Sequence, residues 1–311
     1  MFRVGLHGMW LLIPIFFLGF LTPVQTAANS RLRQSVVSPM VASLVSFTVG
    51  TLFLATVVLC EKGTLLIESE LIGRLPWWAW CGGLCGLWGL TVNIIIFPKL
   101  GAVQTALMPM LGQIGMGIVI DSLGLLQSPV FPFTLKRALA LVILLVGIVM
   151  IVMRKESSAK KTNLLIWQLI GISGGAVFAM QPSMNSLLSI GLYSSVHAAF
   201  VSFTTATIML LMLVALIPHD RINIPKIFSL NRPWWSWLGG IIGGTFVTGF
   251  AFFASKTGIG VLLITSICGM LANSLIIDKF GLLGAVKKQI GPMQYIGLVL
   301  VVTGIIILRM N

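Results

Sequence analysis

The chain has 311 residues, of which 57% are hydrophobic and only 9% are charged, and its mean hydropathy is +1.05. Soluble domains carry about 25% charged residues, so a water-facing surface cannot be assembled from this composition and the exterior must face lipid. The formal charge of +13 then fits Lys and Arg anchoring short loops at a membrane. Nucleic-acid binding is excluded, because no basic stretch is interleaved with exposed aromatics.

A bilayer crossing needs about 20 apolar residues. Residues 1–28 look at first like a cleavable leader, with Arg3 ahead of an apolar run and Thr26-Ala27-Ala28 as a small-residue site. The repeat described below makes this segment structural, as the first span, 9–29. A second span is expected over 37–59. Segment 61–75 mixes Glu61, Lys62, Glu68, Glu70 and Arg74 with Leu65, Leu66, Ile67, Leu71 and Ile72, the pattern of a surface loop or interfacial helix. Pro76-Trp77-Trp78-Ala79-Trp80 opens a third span, 77–97, and Trp favours the headgroup level. Spans over 101–120 and 138–153 complete a first half, 1–155. A basic linker, 156–162, leads to a second half, 163–311, with spans over 164–184, 195–217, 234–254, 258–277 and 291–308. Pro233-Trp234-Trp235-Ser236-Trp237 opens the eighth. The expected fold is all-α, with ten transmembrane helices. Thirteen of the 20 Lys and Arg follow odd-numbered spans, Arg31, Arg33, Arg154 and Lys155 among them. The positive-inside rule therefore puts both termini outside the cytoplasm.

The two halves repeat one another. Gln25-x-x-x-Asn29-Ser30-x-Leu32 returns as Gln181-x-x-x-Asn185-Ser186-x-Leu188, and Val45-Ser46-Phe47-Thr48 as Val201-Ser202-Phe203-Thr204, each 156 residues on. Pro76-Trp77-Trp78-x-Trp80-x-Gly82-Gly83-x-x-Gly86 returns as Pro233-Trp234-Trp235-x-Trp237-x-Gly239-Gly240-x-x-Gly243, 157 residues on. Lys99-x-Gly101 returns as Lys256-x-Gly258, and Asp121-x-x-Gly124-Leu125-Leu126 as Asp278-x-x-Gly281-Leu282-Leu283. Each unit has five spans, an odd number, so the second copy must be inverted relative to the first. Inverted repeats of this kind build secondary transporters with a site near the midplane.

These motifs resemble the YdcZ-type membrane proteins of the drug/metabolite transporter superfamily, here as two fused five-helix units. The resemblance spans nearly the whole chain. It implies a multi-pass protein of the bacterial inner membrane that exports its substrate, and it implies little about the substrate's chemistry. The halves differ where Gln113 is replaced by Met270, as a single asymmetric pathway would require.

Polar groups within a membrane usually face the protein interior or a watery cavity. Gln25 and Asn29 share one helical face, as do Gln181 and Asn185, and Pro23 and Pro182 sit beside them. Either cavity lining or interhelical hydrogen bonding satisfies such amides. Gln113, Asn93 and Asn273 are similar candidates. His197 stands where the first half has Val41; it is either a proton carrier or a hydrogen-bonded interfacial residue. The repeated glycines read as close helix packing. Inversion sets Lys99 and Asp278 on one side of the membrane and Lys256 and Asp121 on the other. These pairs are candidate alternating latches, or else each charge snorkels or caps its own helix.

An enzyme is not expected. His7, His197 and His219 form no metal-binding spacing, no nucleophile lies beside a base, and Cys60, Cys81, Cys85 and Cys268 read as small hydrophobes. No metal or cofactor is expected. The expected function is a secondary transporter, an exporter of a small organic molecule by alternating access, with proton coupling a candidate and a monomer or homodimer as the assembly. The alternatives are a lipid flippase or scramblase, or a non-transporting scaffold.

Overall fold

The structure, a computed structural model, describes residues 10–152, 164–222, 224–225, 233–284, 287 and 289–309. The linker 156–162 and several basic loop residues, Arg154, Lys155 and Lys226 among them, lie outside the described residues. Every described element is helical. In chain order the helices are α1 (Leu12–Val36), α2 (Pro39–Lys62), α3 (Ser69–Arg74), α4 (Gly82–Leu123), α5 (Leu135–Val152), α6 (Leu164–Gly191), α7 (Ser195–Leu216), α8 (Pro218–Arg221), α9 (Leu238–Thr257), α10 (Ile259–Phe280) and α11 (Pro292–Arg309). Short 3-10 turns precede α4 and α9 at the two Trp clusters, and Trp77 and Trp234 are both well exposed.

Among the described residues, seven helical segments are long and apolar enough to cross a membrane: Leu12–Val36, Pro39–Lys62, Gln104–Leu123, Leu164–Gly191, Ser195–Leu216, Trp234–Thr257 and Ile259–Phe280. The protein is a multi-pass membrane protein. The other expected spans, 77–97, 138–153 and 291–308, fall on the first part of α4, on α5 and on α11.

Expected spans three and four differ from the sequence reading in one respect. α4 is helical over 42 residues, yet the chain doubles back within it. Four contacts run antiparallel to α6: Gly86 with Gln181, Gly89 with Phe178, Val92 with Gly174 and Ile96 with Gly171. Met108 then also meets Gly171, Pro109 meets Gly175, and Gly112 meets Ile172. A straight helix would separate Ile96 from Met108 by about 18 Å. A methyl on Gly171 would instead lie 3.0 Å from Ile96 Cδ1 and 2.8 Å from Met108 Cβ.

Local chemistry sets the helix ends. Ser38 and Ser194 cap α2 and α7; their hydroxyls accept from Val41 N at 3.2 Å and His197 N at 3.1 Å. Pro39 occupies the first turn of α2, where its missing N–H costs nothing. Asp121-x-x-Gly-Leu-Leu and its copy are helix stops. Gly124 and Gly281 take φ of 63° and 66°, and Leu126 and Leu283 take 56° and 57°, so both copies end in the same left-handed turn.

The chain forms two compact units, each drawing on both sequence halves. One comprises 1–20, 85–183 and 253–311, and the other comprises 21–84 and 184–252. In the first, α10 is enclosed by the apolar faces of α4, α5 and α11 around Ile264, Cys268 and Leu271. In the same unit, α5 and α11 cross at Gly147 and Gly297, each directed at the other's carbonyl. The second unit is centred on α2 and α7.

Candidate functional site

The α2·α7 contact pairs equivalent residues. Phe47 and Phe203 pack against one another with ring centroids 4.9 Å apart and planes tilted by 35°. Thr51 and Thr207 share a hydrogen bond of 2.9 Å. Both pairs are 156 residues apart, the repeat shift, so a local two-fold axis runs between these helices. The helices are antiparallel, and both ends are clasped. Ser38, at the start of α2, donates to Asp220 Oδ1 at 2.5 Å beyond the end of α7. Ser194, at the start of α7, donates to Glu61 Oε2 at 2.9 Å at the end of α2.

The repeated amides sit on the repeated glycines of the opposite half. A methyl on Gly239 would lie 2.1 Å from Asn29 Oδ1, and a methyl on Gly82 would lie 2.1 Å from Asn185 Oδ1. Gln25 Nε2 faces Gly243 at 2.7 Å, and Gln181 Nε2 faces Gly86 at 2.8 Å, measured the same way. Adding a C–C bond of about 1.5 Å puts each Asn oxygen within about 3.6 Å of its glycine Cα, the range of a Cα–H···O contact. Neither Asn Oδ1 has a conventional partner, while Asn185 Nδ2 donates to Ser202 Oγ at 3.3 Å. The neighbouring glycines meet main chain: a methyl on Gly83 would lie 2.0 Å from Ser202 O, and one on Gly240 would lie 2.2 Å from Ser46 O. The glycines thus serve close helix approach, as their sequence pattern suggests.

A third motif pair meets in the unit built on α10. The Asp121 carboxylate is buried and accepts from Ile259 N at 2.6 Å and Gly260 N at 2.8 Å. It therefore caps α10, whose own N-cap, Gly258, has no side chain to offer. Gly258 holds φ of 81°, and a methyl there would lie 2.9 Å from Asp121 Oδ2. Asp121 does reach the Lys256-x-Gly258 motif of the other half, but it engages main-chain amides there. Arg137 donates to Phe131 O at 2.8 Å beside this joint. The helix capped is α10 and not, as the sequence alternative had it, the one that carries Asp121; a helix start without a capping side chain is the legible sign of such a borrowed cap.

The remaining candidates are placed as follows. Lys99 is exposed, with its ammonium 5.7 Å from the Trp167 ring. Lys256 is exposed in the last turn of α9, and Asp278 is half-buried near the end of α10. Gln113 is half-buried, and its counterpart Met270 packs on the α10 core. Asn273 donates to Phe20 O at 2.5 Å, and Asn93 is exposed. His197 is 3% exposed.

The model of the family described as "Putative inner membrane exporter, YdcZ" matches residues 9–150 and again residues 166–307. The chain belongs to this family. One match falls within each sequence half, so this YdcZ-family protein carries the family unit twice. No curated protein matches it by sequence. A solved structure titled "Crystal structure of protein" is similar to it in fold, with a TM-score of 0.69 at 13% identity, covering 97% of this chain and 96% of that one.

Proposed function

We propose that this protein is a secondary transporter exporting a small organic molecule across the bacterial inner membrane. In this reading 1–155 and 163–311 are two five-helix repeats of opposite orientation, ten spans in all, joined by the basic linker 156–162, with both termini outside the cytoplasm. Alternating access of the two repeats moves the substrate.

One observation carries the reading: equivalent helices from the two matched repeats run antiparallel and touch at equivalent residues, Phe47 with Phe203 and Thr51 with Thr207. The doubling back of α4 between Ile96 and Met108 supports two crossings there. Gln25, Asn29, Gln113, Gln181 and Asn185 are the proposed polar groups of the pathway. The side-chain oxygens of Asn29 and Asn185 are buried on glycine Cα–H groups without a conventional partner, so parting of those contacts would offer them to a neutral or zwitterionic donor-bearing substrate.

The test is flux in proteoliposomes. A panel of neutral, zwitterionic and amphipathic metabolites is loaded with and without a pH gradient. Saturable efflux of at least one compound class, lost in Asn185→Ala, is expected. Absence of saturable flux for every compound under every gradient would overturn the reading.

A further inference from the structure

The end of α7 that carries His197 is covered by a strap, residues 63–75, which includes α3. Ile67, Leu71 and Leu75 point inward onto Leu188, Leu192 and Ala198, and Leu75 fills the space beside Gly191. The outer side shows Leu66 and Ile72, 82% and 50% exposed, and the Glu70–Arg74 ion pair. A six-residue helix cannot stand alone in water, so this apolar row is what holds the strap down.

Beneath it lies an imidazole neither of whose nitrogens completes a hydrogen bond. His197 is buried, and neither Nδ1 nor Nε2 is bonded. The Leu65 main chain approaches the ring without completing a hydrogen bond, and the charged side chains acting on it are Glu61 and Lys62 of α2. The Ser194 hydroxyl, which could have served the ring, is already used: it accepts from the His197 main-chain N–H and donates to Glu61. Lys62 donates to Leu192 O at 2.6 Å, tying α2 to the last turn of α6. The strap's other ionisable groups are Glu68, Glu70 and Arg74, all exposed.

We propose that His197 is the proton-binding site of this transporter and that charging it releases the strap. A neutral imidazole carries one N–H, whereas the imidazolium carries two and needs two acceptors. Against those two N–H groups the packed pocket sets only the Leu65 main chain, which completes no bond, while Glu61 is held by Ser194. A positive charge in the first turn of α7 also opposes the helix dipole and repels Lys62 from Leu192 O. Lifting the strap admits water to the ring and frees Glu61 to turn from Ser194 towards the imidazolium. The proton comes from water on the strap side and binds the ring nitrogen that lacks one. Closing the strap expels it again, so proton binding and opening of this end are linked. The first half has Val41 at this position, 0% exposed, so the linkage acts at one end only. The clasps of Ser38 with Asp220 and of Ser194 with Glu61 are common to both ends; the imidazole is not. As a coupling site the proposal rests on the transporter reading, but its test does not use transport.

Leu75→Cys reports strap opening by maleimide labelling of the purified full-length protein in nanodiscs, with each site read by peptide mass spectrometry. Exposed Cys60 is the reference, so the ratio cancels the pH dependence of thiol reactivity. Going from about pH 7.5 to about pH 5.5, across the ordinary imidazole range, the ratio should rise roughly fivefold or more, one pK unit being a factor of ten. His197→Val, which installs the residue of the first half, should leave it flat. Glu61→Gln should move the midpoint to lower pH. Leu71→Cys repeats the measurement in case Leu75→Cys itself loosens the strap. A flat ratio in the protein with His197 present, the same rise in His197→Val, or an unmoved midpoint in Glu61→Gln would each overturn the proposal. Flux in proteoliposomes with a flat ratio would overturn the coupling site and leave the transporter standing.

Discussion

Adding one methyl group at Gly82 or Gly83 separates side-chain from main-chain contact at the α4 crossing. The Gly83→Ala carbon would lie 2.0 Å from Ser202 O and 3.2 Å from Ala206 N. Ordinary contact begins near 3.4 Å, so α4 and α7 must move apart by at least about 1.4 Å. A gap of 0.5–1 Å already forfeits about a quarter to a half of a dispersion contact, and overpacking of this kind costs about 1–3 kcal/mol. The gain in helix propensity from Gly to Ala returns at most about 1 kcal/mol, leaving a loss of about 2 kcal/mol at the upper end of that range. Gly82→Ala collides instead with a side chain, at 2.1 Å from Asn185 Oδ1. Removing that side chain relieves it. The double variant Gly82→Ala with Asn185→Ala should therefore be more stable than the sum of the singles, by about 0.5–3 kcal/mol of coupling. Gly83→Ala with Asn185→Ala should show no such rescue. Gly115→Ala, with open space around its added carbon, should gain about 0.5–1 kcal/mol. The assay is the apparent melting temperature in one detergent, followed by Trp fluorescence and compared among variants at one scan rate, because irreversible unfolding makes the midpoint a rate-dependent quantity. Gly83→Ala melting at or above Gly115→Ala, or strict additivity of Gly82→Ala with Asn185→Ala, would refute the packing argument.

Asn29→Ala and Asn185→Ala should lower flux in proteoliposomes more than they lower yield; normal flux from poorly folded protein would reduce these amides to packing. Asp121→Ala should cost about 1 kcal/mol, the usual worth of a helix cap, and should speed hydrogen exchange at Ile259 and Gly260 before the rest of α10; unchanged protection there would refute the cap. For the proposed latches, Lys99→Asp should slow flux and added Asp278→Lys should restore part of it, an exposed pair being worth about 0–1 kcal/mol; additive losses would reject the pairing. Residues 1–155 and 163–311, expressed as two chains, should copurify, and failure to associate while the intact chain is stable would refute the cross-half joints.

The helices and the repeat were legible because hydrophobic length and fixed spacing are sequence properties. The Trp clusters, the Ser caps at Ser38 and Ser194 and the left-handed stops at Gly124 and Gly281 are all written locally. What was not legible is which faces meet. Gln25 and Asn29 announce a polar helical face, but nothing in their spacing says that the Asn oxygen rests on the Cα of Gly239. Asp121 invited a search for a cation because side chains are visible in a sequence and free main-chain amides are not. The reversal between Ile96 and Met108 was legible in Lys99-x-Gly101, whose copy at Gly258 breaks the helix.

The recurring motifs make sense as complementary surfaces. In an isologous interface, residue i meets j of the partner and j meets i. Here Asn29 meets Gly239 while Asn185 meets Gly82, and Gln25 meets Gly243 while Gln181 meets Gly86. A unit carrying both the amide pair and the glycine row is thus self-complementary when a second copy is turned over against it. Residues where i and j coincide must tolerate their own likeness, and Phe47 with Phe203 and Thr51 with Thr207 do so by tilted ring packing and by sharing a hydroxyl proton. Fusing two copies in one chain leaves such crossing positions bound to their partners, because a change on one side strands the other. It frees positions that do not cross. Gln113 against Met270 and His197 against Val41 are differences of that kind, and they are where a two-fold scaffold can acquire a pathway with two unlike ends.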